Sequence, residues 1–119
     1  MEKSDLQQRA YFLALNILRL LDLLPNQKAY WSLGDQLLRA GSSIGANIIE
    51  AQGASSKKDF INFYHYALKS ANETKFWLCL LRDSNKIDVK SIEPLLQEAI
   101  ESSNILGASL LTMKNKRKI

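Results

Sequence analysis

Apolar residues return at alternating steps of four and three in four separate segments of this chain, a rhythm that belongs to helices packed lengthwise on one another. In the first segment, about Ser4 to Leu24, the steps fall on Leu6, Ala10, Leu13, Ile17, Leu20 and Leu24. In the second they fall on Leu33, Leu37, Ala40, Ile44, Ile48 and Ala51. The third seam is Phe60, Phe63, Ala67, Ala71, Thr74, Leu78 and Leu81, and the fourth is Ile92, Leu96, Ala99, Ser103, Leu106, Leu110 and Met113. Only two prolines and five glycines interrupt 119 residues, so each segment is free to run as one helix. No strand pattern competes. The expected fold is all-α, an antiparallel up-down-up-down four-helix bundle, with residues 1–113 as one domain and 114–119 as a basic C-terminal tail.

Turn chemistry sets the expected boundaries. Pro25-Asn26 ends the first helix. Ser32-Leu33-Gly34-Asp35 reads as a capping box that opens the second at Ser32, with a start as early as Gln27 as the alternative. Gly53 follows its end, where a left-handed residue is favoured. Ser56, with Asp59 three residues on, caps the third helix. Asn85 and Asp88 mark the last turn, and Ser91 opens the fourth helix because Pro94 then falls in a first turn.

Composition narrows the class. A 46% hydrophobic content excludes a disordered chain. Cys79 is the only cysteine, so no internal disulfide can form and a reducing cytoplasm is the expected compartment. The apolar run Leu13–Leu24 is broken by Asn16, Arg19 and Asp22, and Met1–Gln8 is polar with both charge signs, so neither a membrane partner nor a signal peptide is expected. The formal charge of +4 equals the contribution of Lys114, Lys116, Arg117 and Lys118, and no acidic residue follows Glu101. Without those four, 12 basic residues face 12 acidic ones, so the body of the protein is neutral in sum.

The helices carry more apolar surface than one bundle core needs. Phe76-Trp77-Leu78-Cys79-Leu80-Leu81 is six apolar residues in a row, and at about 100° per residue they encircle the helix. A second stripe on the first helix, Tyr11, Leu15, Leu18 and Leu21, widens its buried arc. Thick packing inside a single bundle is one reading. Self-association is the favoured one, with Leu15, Leu18, Phe76, Trp77 and Leu80 as the oligomer interface.

Polar residues interrupt the same helices. Ser43, Asn47 and Glu50 form a stripe along the edge of the second seam, with Glu73 added from the third helix. Side chains at such an edge need partners, because an unpaired buried polar group costs about 1–3 kcal/mol. They either bond to backbone or to Arg39 and set helix register, the favoured reading, or line a recognition groove.

Catalytic patterns are sparse. A bundle di-metal centre needs inward Glu-x-x-His pairs, and the single histidine, His65, has Asn62 three residues before it. Glu50 and Glu73 supply too few ligands. Lys75 and Arg82 flank Cys79 at i−4 and i+3 and would lower a thiol pKa, but no histidine base accompanies them, so Cys79 reads as a packing residue. Gly41, Gly45 and Gly53 match no nucleotide-binding fingerprint. No metal, cofactor or small-molecule substrate is expected.

Three stretches resemble a known family: Gln36–Gly53, Ser56-Lys57-Lys58-Asp59-Phe60-Ile61, and Ala67-Leu68-Lys69-Ser70-Ala71-Asn72-Glu73. They are similar to the four-helix-bundle proteins encoded within 23S ribosomal RNA intervening sequences. They are also distantly similar to the accessory variability proteins of diversity-generating retroelements. The similarity spans about Leu6 to Leu110, and its most specific part is Ser-Ile-x-x-Asn-Ile-x-Glu at Ser43–Glu50. The resemblance implies a left-handed antiparallel bundle, homopentamers, no enzymatic activity, and association with RNA or, in the retroelement branch, with a reverse transcriptase. Family members often carry proline at the position of Gly45, glycine at Ala51 and a basic residue at Ala54, so one anion contact between helices two and three is missing here.

The basic tail is either a solvated chain end or a nucleic-acid arm that acts through phosphates with little sequence choice. In the second case Arg39, Lys114, Lys116, Arg117 and Lys118 form the nucleic-acid-binding set, and Tyr30 and Trp31 add stacking near the first loop. Tyr30 and Trp31 otherwise plug the end of the bundle. The leading expectation is a non-catalytic homo-oligomer that engages RNA or a ribonucleoprotein. The alternative is a protein-interaction adaptor such as a reverse-transcriptase accessory subunit.

Overall fold

A computed structural model describes the backbone of residues 5–118 and the side-chain surroundings of residues 6–115. Four helices account for most of it: α1 (Asp5–Leu20), α2 (Lys28–Gln52), α3 (Lys57–Asp83) and α4 (Val89–Lys118). Successive helices pack on each other and α4 closes back onto α1, so α1 and α3 occupy one diagonal and α2 and α4 the other. The result is an up-down four-helix rod with extents of 52 × 24 × 21 Å. Among the described residues no helix is long and apolar enough to cross a membrane.

The four seams meet as their spacing requires. Ile17, Leu37, Ile44, Ile48, Leu78, Leu81, Ile92 and Leu106 are all fully buried. One seam shifts. At the start of α3, Ile61 and Tyr64 are buried, whereas Phe60 and Phe63 are half-buried at the margin. Phe60 stacks on Tyr64 with ring centroids 4.8 Å apart, so the aromatic bulk covers the core edge rather than filling it. Small residues let α1 approach α2 closely. A Cβ at Gly45 would stand 3.4 Å from that of Ala10, and one at Gly41 would collide with Ile17.

Boundaries depart from the turn chemistry in four places. The last turn of the first helix tightens into a 3₁₀ turn, Leu21–Leu23, because Pro25 forces Leu24 into extended backbone (ψ 144°). Helix α2 starts at Lys28, the earlier alternative, with Gln27 as a cap that makes no side-chain bond. The Ser32 capping box does not form. An early start places the Tyr30 ring in the core at 8% exposure, and that burial outweighs one capping bond. Gly53 has φ −97°, not a left-handed value, and its N–H closes a tight turn on the Glu50 carbonyl at 3.1 Å. Helix α4 starts at Val89, where the Asp88 carboxylate accepts from the Lys90 N–H at 3.0 Å, so Pro94 lies beyond the first turn. Proline cannot donate to the Lys90 carbonyl, but Lys90 is exposed, so the lost bond falls on the solvent side of the helix.

Two other boundaries fall where the turn residues point. The Ser56 hydroxyl accepts from the Asp59 N–H at 3.1 Å, and Asn85 takes the left-handed conformation (φ 61°) between α3 and α4. Helix α4 passes through Met113 without interruption, so residue 113 is not the end of an element.

Candidate nucleic-acid interface

The basic residues expected to act together do not all meet. Lys114 is exposed near the end of α4. The backbone of Lys116, Arg117 and Lys118 continues that helix, and their side chains lie outside the described residues. Arg39 is exposed in the middle of α2, about 20 Å along the axis from that helix's C-terminal end. Antiparallel packing puts the C-termini of α2 and α4 at the same end of the rod, so Arg39 stands apart from the basic end.

What the packing does bring together is the first half of α3 and the last half of α4. Residues 57–72 and everything after 101 hold Lys57, Lys58, Lys69, Lys114, Lys116, Arg117 and Lys118, seven of the 16 basic residues. Only Asp59, one of the 12 acidic residues, opposes them, which leaves nine basic against eleven acidic residues elsewhere. The body is neutral in sum yet divided in space. Lys57, Lys58 and Lys69 were not recognisable as part of this set from sequence, because in the linear chain they lie more than 40 residues from the tail. The contact is felt at His65, half-buried on α3, whose imidazole is held below its ordinary range by desolvation and then by the charge of Lys114.

The polar stripe is local rather than convergent. The Ser43 hydroxyl donates to the Arg39 carbonyl at 2.8 Å and the Asn47 amide to the Ser43 carbonyl at 2.8 Å, both one turn back along α2. Both side chains are half-buried, while Glu50 is exposed. Glu73, exposed on α3, accepts from the Trp77 indole N–H at 3.1 Å. The bonds run within single helices.

Cross-helix polar ties come from residues that the sequence did not single out for this role. Arg9 on α1 donates to Glu98 at 2.8 and 3.2 Å and to Glu101 at 3.1 Å, which raises its pKa further. The Lys75 ammonium donates to the Ser103 hydroxyl at 3.1 Å between α3 and α4. A groove of about 540 Å³ beside the Arg9 cluster is lined by Phe12, Leu13, Asn16, Pro94 and Leu95. Among the described residues no group of three or more His, Cys, Asp or Glu side chains is placed to hold a metal ion. Cys79 is a free, half-buried thiol.

The apolar surplus stands on opposite corners. Leu18 on α1 is exposed and Leu15 half-buried, whereas Phe76 (60% exposed) and Leu80 lie on the outward face of α3 with Trp77 half-buried beside them. Phe76 and Trp77 meet edge to face at 5.0 Å. Of the first-loop aromatics, Tyr30 fills the end of the bundle, while Trp31 is exposed and donates from its indole N–H to Asn26 at 3.1 Å.

A rod of four antiparallel helices, each packed on the next and the last on the first, defines an all-α protein of the up-down four-helix-bundle class. Its sequence places it more narrowly. Residues 2–108 match the 23S rRNA-intervening sequence protein family, and the chain belongs to that family. A crystal structure of a protein of unknown function from the S23 ribosomal protein family of Bacteroides thetaiotaomicron VPI-5482 is 36% identical. It superposes with a TM-score of 0.81 over 88% of this chain and 97% of its own. No curated protein matches the sequence.

Proposed function

We propose that this protein is a non-catalytic homo-oligomer, a pentamer by its family resemblance, that associates with RNA through the basic end of its α3–α4 edge. The observation that carries the reading is the division of charge, seven basic residues against one acidic along that edge. A concentration of positive charge of this kind favours phosphate contacts and is sensitive to salt. RNA association is also what the resemblance to the 23S rRNA-intervening sequence protein family implies. Self-association draws support from the apolar corners: α1 and α3 are diagonal, so the two faces point away from each other. One copy's α1 corner can then receive the next copy's α3 corner, and such head-to-tail contacts close into rings. A ring would present several basic ends together and raise avidity without new contacts.

The test is sedimentation of the purified protein at micromolar concentration, followed by titration with labelled single-stranded RNA between 50 and 200 mM salt. A multimer whose affinity falls with salt is expected, and deletion of residues 114–118 should reduce the salt slope by about 3 per engaged subunit. A 13.5 kDa particle, or a protein that ignores RNA at 50 mM salt, would overturn the proposal.

A further inference from the structure

Beyond the tail, we propose that the outward face of the first half of α3 is a docking strip for single-stranded RNA, with Lys58 and Lys69 holding phosphates and Tyr66 stacking on a base. The proposal rests on the RNA reading above and adds residues that the tail does not contain. Lys58, Asn62, Tyr66 and Lys69 recur at steps of four, four and three, and all are exposed. They fall within an arc of about 80° and span about 17 Å along the axis, room for a short run of nucleotides. The ring is braced. Tyr66 is 51% exposed and meets Phe63 edge to face at 6.2 Å, a contact that restrains an otherwise open ring.

The acids near the strip lie at its Tyr66 margin and its ends, and its α4 flank is positive. Asp59 borders the strip on the side of Tyr66, its carboxylate accepting from the Ser55 hydroxyl at 2.8 Å. Glu73, exposed one turn beyond Lys69, accepts from the Trp77 indole and closes the strip at that end with a negative charge. Glu50 is the exposed acid of the neighbouring α2 end. On the α4 flank, Lys114 brings positive charge to His65, at the edge of the same strip. An acidic peptide would satisfy the lysines but would make no use of a flat aromatic set between them. Stacking on an aromatic ring interleaved with cations is the chemistry of single-stranded nucleic-acid binding.

Three variants test this in the full-length protein: Lys58→Gln with Lys69→Gln, Tyr66→Ala, and Tyr66→Phe. All change exposed side chains, and circular dichroism checks that the fold is kept. The double lysine variant should lower the RNA salt slope by about 1.4 per engaged subunit. Tyr66→Ala should weaken single-stranded RNA about tenfold and leave duplex RNA unchanged, while Tyr66→Phe binds as the parent does. If the parent binds RNA and the lysine and alanine variants match it in affinity and slope, the strip is refuted while the RNA reading stands. If the parent binds no RNA, both fail. Tight binding of a polyglutamate peptide that Tyr66→Ala leaves untouched, without RNA binding, would assign the strip to a protein partner and overturn the proposal.

Discussion

The outward face of α3 changes character halfway along the helix. In its first half this face carries Lys58, Asn62, Tyr66 and Lys69, and in its second half Phe76 and Leu80 occupy the same angular position. The core beneath is continuous through Ile61, Tyr64, Ala67, Ala71, Thr74, Leu78 and Leu81. One helix thus builds a single interior seam and two unlike exteriors. The lesson is that the interior decides whether the helix folds into the bundle, whereas the exterior decides what the bundle meets, and these can be altered separately.

Substitutions that separate seam from surface test the contrast most strongly. Leu78→Ala, at a fully buried position, should lower unfolding stability by about 3 kcal/mol in urea denaturation. Phe76→Ala, two residues away but outward, should leave the unfolding of an isolated subunit within about 0.5 kcal/mol. Phe76→Asp combined with Leu80→Asp should act on assembly instead. Each lost apolar contact is worth about 1.5–3 kcal/mol when fully covered, so subunit dissociation should strengthen at least about a hundredfold by sedimentation. Equal damage to folding and assembly from both sets would erase the distinction.

Two smaller effects sharpen the basic half. Ser56→Ala removes the bond that starts α3 and should cost about 1 kcal/mol of stability, with assembly unchanged. The smallest effect is a pH response at His65. Its folded pKa lies below the unfolded value of about 6.5, so the unfolded chain takes up the proton first. Stability should therefore fall as pH drops through about 6.5, and the loss is complete below the lowered folded value. His65→Gln should flatten this part of a urea-midpoint profile. Lys114→Gln should move the His65 titration upward by NMR, and no movement would mean that the α4 charge does not reach α3.

Much of the fold was legible because helix periodicity is a local property. Leu6 through Leu20 and Ile92 through Leu110 needed only their own spacing to declare a buried stripe, and the Ser56 cap needed only Asp59. Where the reading slipped, a distant contact outweighed a local preference. Tyr30 reached the core and drew the start of α2 back from Ser32. Asp88 capped α4 ahead of Ser91 and left Pro94 inside. The candidate site was far less legible. Arg39 counted as one more positive charge in the chain, but the register of α2 places it away from the α4 end. Glu50 on α2 and Glu73 on α3 counted as one polar group on paper, yet both are exposed and Glu73 binds its own helix's Trp77.

By itself, the sequence determined four amphipathic helices, their order, and a surplus of apolar surface, since each follows from side chains a few residues apart on one rigid backbone. Only the tertiary structure decided that α1 and α3 stand on a diagonal, and that Lys57, Lys58 and Lys69 share an edge with Lys114. Those outcomes depend on how segments far apart in the chain pair and in what register. Backbone geometry repeats every few residues, but charge and shape add up across helices, and that addition exists only after packing.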